Sequence, residues 1–352
     1  MTRQLDMVYT TMSAELLDRA LDAQFDLDFD EVGAFKKRTV KERDYWYYKP
    51  SERGQTEAVR EKYVGPADDP EIASRVTRFR QIKDDYQARR KIVATLVREA
   101  RLFRPEQRVG DVVEALWKAG VFRVRACLVG TIAYQTYGTV LGYRLADTAM
   151  QTGDIDIAQF HSISVAVDDS IPPILDVLKS VDEKFRPVPQ LGDEQGAAKF
   201  QASGGLRVEF LTPNRGSDDY LGKPAKLPAL GGATAEPLRF LDFLIHQPVR
   251  TVMLHKGGIP IFVPDPARYA VHKLIVSARR RQDNGKDLKD LRQAANLAVA
   301  LTETGRLEDL RDAYHEANGR GQQWREAIAK SLDRLNVLGM NAFNTLKPQS
   351  VK

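Results

Sequence analysis

Apolar residues along this chain recur with two periods, near 3.6 and near 2, and the switches between them mark its elements. Residues 1 to about 30 read as one helix with an acidic end. From Phe35 the pattern changes to alternation, and AFKKRTV, DYWYYKP and EAVREKYVGP predict three short strands in hairpins. Over 70–103 the positions Ile92, Val93, Leu96, Val97 and Ala100 stand at helical spacing and predict a long connecting helix. Asp111 suits the N-cap of a further helix, whose Val112, Val113, Leu116 and Trp117 share a face and whose stop is Ala119-Gly120.

Strands and helices then alternate. The expected order is a strand over 123–129, a helix opened by Gly130-Thr131, strands at DIDIAQF and SISVAV, and a helix over 174–181. KFQAS and LRVEFLT follow as a hairpin across Gly204-Gly205. Residues 214–236, rich in Gly, Pro and Lys, read as a loop. Short strands around FLIHQPVRTVML and IPIFVP precede helices near 266–281, 286–303 and 306–335. This is an α/β (α+β) pattern, a mixed sheet with helices packed on it. It divides into an N-terminal helical and β-hairpin region (1–105), a core (106–264) and a C-terminal helical domain (265–352).

Composition narrows the class. Hydrophobic residues at 43% and charged residues at 29% are those of a folded globular protein, and 352 residues exceed one ordinary core. Neither an export signal nor an 18-residue apolar run occurs, so a cytoplasmic protein without a membrane span is expected. The single cysteine, Cys127, lies in an apolar run and reads as a buried structural thiol. The net charge of +5 favours polyanionic partners by its field, yet 53 basic against 48 acidic residues is mostly a mixed, solvated surface. The front hairpins interleave Lys36, Lys37, Arg38, Lys49, Arg53, Arg60 and Lys62 with Tyr45, Trp46, Tyr47, Tyr48 and Tyr63. Cations beside aromatic rings grip nucleic acid; they also build small cores under snorkelling lysines, the commoner outcome.

Three segments carry candidate chemistry. At LVGTIAYQTYG a strand ends in Gly130-Thr131 where a helix begins; glycine admits a phosphate close to the backbone, first-turn amides are unsatisfied donors, and Thr131 adds a hydroxyl. In Gly153-Asp154-Ile155-Asp156-Ile157, the period of two sends both aspartates to one face and both isoleucines into the core. Carboxylates held so close repel by several kcal/mol at an effective dielectric of about 20, a cost that bound cations remove. In Arg207-Val208-Glu209-Phe210-Leu211 the alternation sets Glu209 opposite Val208 and Phe210. Should these strands be neighbours with matching faces, Asp154, Asp156 and Glu209 form an all-oxygen set suited to Mg²⁺ or Mn²⁺. His161, His246, His255 and His272 lack metal-ligand spacing with one another or with Cys127 and read as structural.

Gly130-Thr131, the Asp-Ile-Asp strand and the later VEFLTP strand together resemble the DNA polymerase beta superfamily pattern of a Gly-Ser turn, an Asp-apolar-Asp strand and a third strand carboxylate. More closely, the chain resembles bacterial nucleotidyltransferase-fold proteins of largely unassigned substrate, in which an aromatic, basic front segment ending in YVGP precedes this core. The likeness spans roughly residues 35–300, with Thr131 in place of the commoner Ser and the longer TVLGYRLADTAMQTG ahead of the aspartates. It implies a metal-dependent transfer of a nucleoside monophosphate from an NTP to an acceptor hydroxyl, with pyrophosphate leaving. In that scheme Asp154 and Asp156 hold two ions, Glu209 holds the one on the nucleophile side, and Lys273, on the helix after VPDP, meets the triphosphate. Lys286-Asp287 and Asp290 are similar to a helical Lys-Asp motif of related proteins, though the charge pattern of a helix start explains them more simply. The basic front segment makes RNA, including a tRNA end, an acceptor alongside a protein or small-molecule hydroxyl. The competing readings are an inactive transferase fold that binds nucleic acid or a partner, and a sugar-nucleotide glycosyltransferase using Asp-Ile-Asp.

Overall fold

The computed structural model describes residues 2–22, 34–40, 43–49, 62–146, 148, 153–166, 170–189, 196–214, 223–280 and 285–346. In chain order, β1 (Arg3–Gln4) leads into α1 (Met7–Asp22), which covers part of the helix expected over 1–30; the acidic end of that expectation lies outside the described residues. β2 (Ala34–Val40), β3 (Arg43–Lys49) and β4 (Lys62–Pro66) form an antiparallel sheet of their own, as the alternation predicted. One face of this sheet is core: Trp46 and Tyr48 are buried, and Phe35 and Tyr48 pack edge-on to Phe79 of α2 (Pro70–Arg98). Lys37 lies over the ring of Trp46 and Arg38 over that of Tyr47. The lysine stem thus covers apolar surface while its head stays wet.

The principal sheet starts after α3 (Gln107–Lys118). Its strands are β5 (Cys127–Val129), followed by α4 (Gly130–Leu141) and β6 (Tyr143–Arg144); β7 (Asp154–Ala158), followed by α5 (His161–Ala166) and α6 (Ile174–Lys179); and then β8 (Arg186–Pro187), β9 (Lys199–Gln201), β10 (Arg207–Pro213), β11 (Ala225–Leu227) and β12 (Ala233–Leu238). The spatial order is β11-β12-β10-β7-β5, with β9 also on β10 and β8 on β9. β10 runs parallel to β7 and β12 and antiparallel to β9, and β5 runs antiparallel to β7, so the sheet is mixed. β6 pairs instead with β1, tying the start of the chain to the end of α4.

A short α7 (Leu241–Leu244) precedes the hairpin of β13 (Val249–Met253) and β14 (Ile259–Val263). Beyond it lie α8 (Pro266–Arg279), α9 (Lys286–Glu303), α10 (Leu307–Gly319) and α11 (Gln322–Val337). Asp265 caps α8, accepting from the amides of Ala267 and Arg268, with Pro266 preset for the first turn. One buried apolar cluster runs from Val109 to Leu346 and joins the sheet to these helices. A smaller cluster of Leu5, Leu16, Val93, Leu96, Ala100, Leu102, Val252 and Leu254 joins α1 and α2 to the β13–β14 hairpin.

Several expectations need correction. Residues 162–166 of SISVAV are helix, not strand: within α5 the buried side chain is Ser164, whose hydroxyl accepts from the amide of Ala229, while Val165 is exposed. The apolar alternation there has no matching alternation of burial. The loop expected over 214–236 contains β11 and the start of β12 among its described residues; β12 is held by β10, a pairing from outside the segment. The last long helix is two, parted at Arg320-Gly321, where Gly321 has φ +132°. Asp111 is no cap. It lies inside α3, which is preceded by Glu106, and it turns outward to His255 and Lys256. The strand expected over 123–129 begins only at Cys127, because Arg125 adopts φ +67° in a turn.

Candidate active site

The two acidic strands are direct neighbours. In the parallel pairing of β7 with β10, Asp156 is opposite Glu209 and Asp154 is opposite Arg207. Side chains opposite one another share a face, so Asp154, Asp156 and Glu209 stand on one surface while Ile155, Ile157, Val208 and Phe210 are fully buried on the other. Local alternation aims each carboxylate, and the register brings them together.

The row extends on both sides. Asp156 is also opposite Val129 at the end of β5, and Glu209 is also opposite Lys199 on β9. The residue after Val129 is Gly130, held at φ +68°; a Cβ there would sit 2.2 Å from Asp156 Oδ2. The Asp156 carboxylate therefore lies against the glycine turn. Only glycine offers both the backbone angle and the room. The carbonyl of Gly130 accepts a hydrogen bond from the Tyr269 hydroxyl at 2.8 Å, so α8 fixes the turn from behind. Thr131, half-buried, occupies the first turn of α4, where backbone amides lack intrahelical partners.

Burial, reinforced by the nearby charges of Glu209 and Asp154, pushes the Asp156 carboxyl up to about 7, and the positive charges of Lys273 and Arg280 oppose the shift. Lys273 is buried on α8 and donates to Asp290 Oδ1 at 2.5 Å, while Arg280 meets the other oxygen of Asp290 at 2.7 Å. Lys273 thus acts on Asp156 through its field while its ammonium is engaged on α9. Nearby, Asp287 is held by Arg334. Asp287 and Asp290 therefore belong to ion pairs between the C-terminal helices.

Reading the sequence did not single out Lys199 or Glu236. The signal for Lys199 was present: a hairpin turning at Gly204-Gly205 pairs residue 199 with 209. For Glu236 no short-range signal existed, because β12 joins β10 through a parallel pairing of segments distant in the chain. Lys199 Nζ is 2.9 Å from Glu236 Oε2 and 3.6 Å from Glu209 Oε2. Burial disfavours this ammonium, yet the two carboxylates outweigh it and hold its pKa above the ordinary lysine value.

A second group was also missed. Among the described residues, Asp111, Glu114 and His255 bring their ligand atoms within 4.8 Å of one another. Asp111 and Glu114 share a face of α3 at i,i+3, and the histidine arrives from the β13–β14 turn, so no local spacing announces the set. Its carboxylates are already bridged by the ammonium of Lys256, and the Asp111 carboxyl is held below its usual value: burial acts against that shift, and Lys256 and His255 overcome it. The carboxylates of Asp154, Asp156 and Glu209 are not gathered to that separation.

The architecture and site define a mixed α/β protein with a carboxylate row beside a glycine turn. Residues 107–319 match the nucleotidyltransferase family, and the chain belongs to it. The crystal structure of an antigenic nucleotidyltransferase-like protein from Paracoccidioides brasiliensis is similar over 68% of this chain and 92% of that one, at 16% identity and a TM-score of 0.34. Comparison with curated proteins finds no match. No helix among the described residues is long and apolar enough to cross a membrane.

Proposed function

We propose that this chain transfers a nucleoside monophosphate from an NTP to an acceptor hydroxyl, using Asp154, Asp156 and Glu209 at a site of the polymerase beta kind. The observation that carries the reading is the register that sets Glu209 beside Asp156, on the face shared with Asp154 and against the Gly130 turn. The carboxylates fit a divalent cation on two grounds. They supply hard oxygen donors only, and the Asp156 carboxyl is pushed up to about 7 because burial and the charges of Glu209 and Asp154 outweigh the positive field of Lys273 and Arg280. Mg²⁺ or Mn²⁺, held by Asp154, Asp156 and Glu209, would neutralise triphosphate charge and favour the alkoxide form of the acceptor.

The chain's own groups then bind and orient. First-turn amides of α4, with the Thr131 hydroxyl, receive phosphate oxygens, and Gly130 lets them approach the backbone. Lys273 contributes positive field from behind Asp156. The acceptor oxygen bonds to the α-phosphorus as the bond to the β-phosphate oxygen breaks; pyrophosphate leaves with that electron pair, and the acceptor proton passes to Glu209 or to water. On this reading residues 106–264 supply the reacting face and 265–352 brace it. The β2–β3–β4 sheet, with Arg38 over Tyr47 on the face away from Phe79, suits an RNA or tRNA acceptor.

Incubation with Mg²⁺ and each labelled NTP tests this, followed by mass spectrometry of added RNA and of the protein itself. Pyrophosphate release is expected from the wild type and is expected to fall at least ~100-fold in Asp154→Ala with the fold intact. Equal release by that variant would refute the assignment. Salt-sensitive RNA binding without any effect of NTP would favour a binding module instead.

A further inference from the structure

Lys199, Glu209 and Asp156 are consecutive positions of one row across β9, β10 and β7. Glu209 therefore has a carboxylate on one side and an ammonium on the other. Along the same sheet face, Glu236 of β12 is opposite Leu211, two residues beyond Glu209 on the same side of β10. Lys199 lies between the two glutamates and closer to Glu236, at 2.9 Å against 3.6 Å. All three side chains are partly buried, with 26%, 19% and 35% exposure for Lys199, Glu209 and Glu236, so their charges are incompletely screened.

We propose that Lys199 and Glu236 form a charge latch that positions Glu209: the ammonium competes with a divalent cation for the Glu209 carboxylate, and Glu236 draws the ammonium aside. The inference rests on the reading of Asp154, Asp156 and Glu209 as cation ligands. It adds two positioning residues that touch neither the triphosphate nor the acceptor. With Glu236 in place, Lys199 keeps a full partner when Glu209 turns toward the aspartates. Without Glu236, moving Glu209 away would strand a partly buried lysine, so the carboxylate stays with it. Without Lys199, Glu209 keeps the aspartates beside it and gains more from a cation.

The two single variants therefore act in opposite directions on cation affinity, an outcome that loss of a structural ion pair alone would not produce. Mn²⁺ binding to the full chain is measured by electron paramagnetic resonance, without nucleotide, on wild type, Lys199→Met, Glu236→Gln, the double variant and Asp156→Asn. Circular dichroism verifies the fold of each, and Lys199→Gln serves as a second lysine variant. Lys199→Met is expected to bind Mn²⁺ about fivefold more tightly and Glu236→Gln about fivefold more weakly, the size of a partly exposed ion pair. The double variant is expected to follow Lys199→Met. Shifts in the same direction, or none in the lysine variants, would overturn the latch. Should Asp156→Asn bind Mn²⁺ as the wild type does, or the wild type not bind it, the ligand assignment itself fails, a result separate from failure of the latch.

Discussion

Asp156→Asn should stabilise this protein when no divalent cation is present, although Asp156 stands at the centre of the proposed reaction. The carboxyl titrates near 7 in the folded chain, against 3.8 ordinarily, because burial and the charges of Glu209 and Asp154 disfavour its ionised form. Between these two values the folded state binds more protons than the unfolded state, so stability falls as pH rises. The loss begins above the unfolded pKa and is complete above the folded one. Three pK units correspond to about 4 kcal/mol, which solvent screening at a half-buried side chain reduces to about 1–3 kcal/mol. Asparagine keeps the shape and removes the charge. Urea unfolding in EDTA at pH 8 should therefore give a higher midpoint for Asp156→Asn than for wild type, with an unchanged slope, and the difference should shrink toward pH 4. Adding Mg²⁺ should narrow the gap at pH 8 by stabilising only the wild type. A variant no more stable than wild type at pH 8, or an advantage that grows on acidification, would refute the placement of an incompletely compensated charge at Asp156.

Two further outcomes test the surroundings of the site. Gly130→Ala places a methyl where Asp156 Oδ2 lies, at a φ of +68°, and should cost roughly 1–3 kcal/mol in urea unfolding; Asp156→Asn should not rescue it, since the amide occupies the same volume, and full rescue would argue that charge rather than space is at issue. Asp290→Ala strands the buried Lys273 and releases Arg280, and should destabilise by about 3 kcal/mol. A loss under about 1 kcal/mol, read from the same denaturation curves, would mean that Lys273 finds another partner or reaches water.

Much of the site was legible because strand alternation is local. Once DIDI and RVEF are strands, Asp154, Asp156 and Glu209 must each face away from the isoleucines, Val208 and Phe210. The glycine turn was legible for the same reason, since a strand ending in Gly130 ahead of a helix needs few neighbours to define it. The hairpin joining β9 to β10 carried its own register through Gly204-Gly205. Where context overrides residue type, reading failed. Residues 162–166 of SISVAV form a helix in which Ser164, not its apolar neighbours, is the side chain the fold buries. Asp111, inside α3 rather than at its cap, takes a partner, His255, 144 residues away.

Residue order alone thus determined which carboxylates stand on these strands and the direction each faces, because backbone geometry sets the period of two within every strand. Which strands lie side by side belongs to the tertiary structure. The parallel register that matches Glu209 to Asp156, the arrival of Glu236 beside Lys199, and the capture of Lys273 by Asp290 all join segments separated by loops or helices. Such pairings are selected by burial of both faces at once, a property of the assembled sheet that no short stretch of the chain contains.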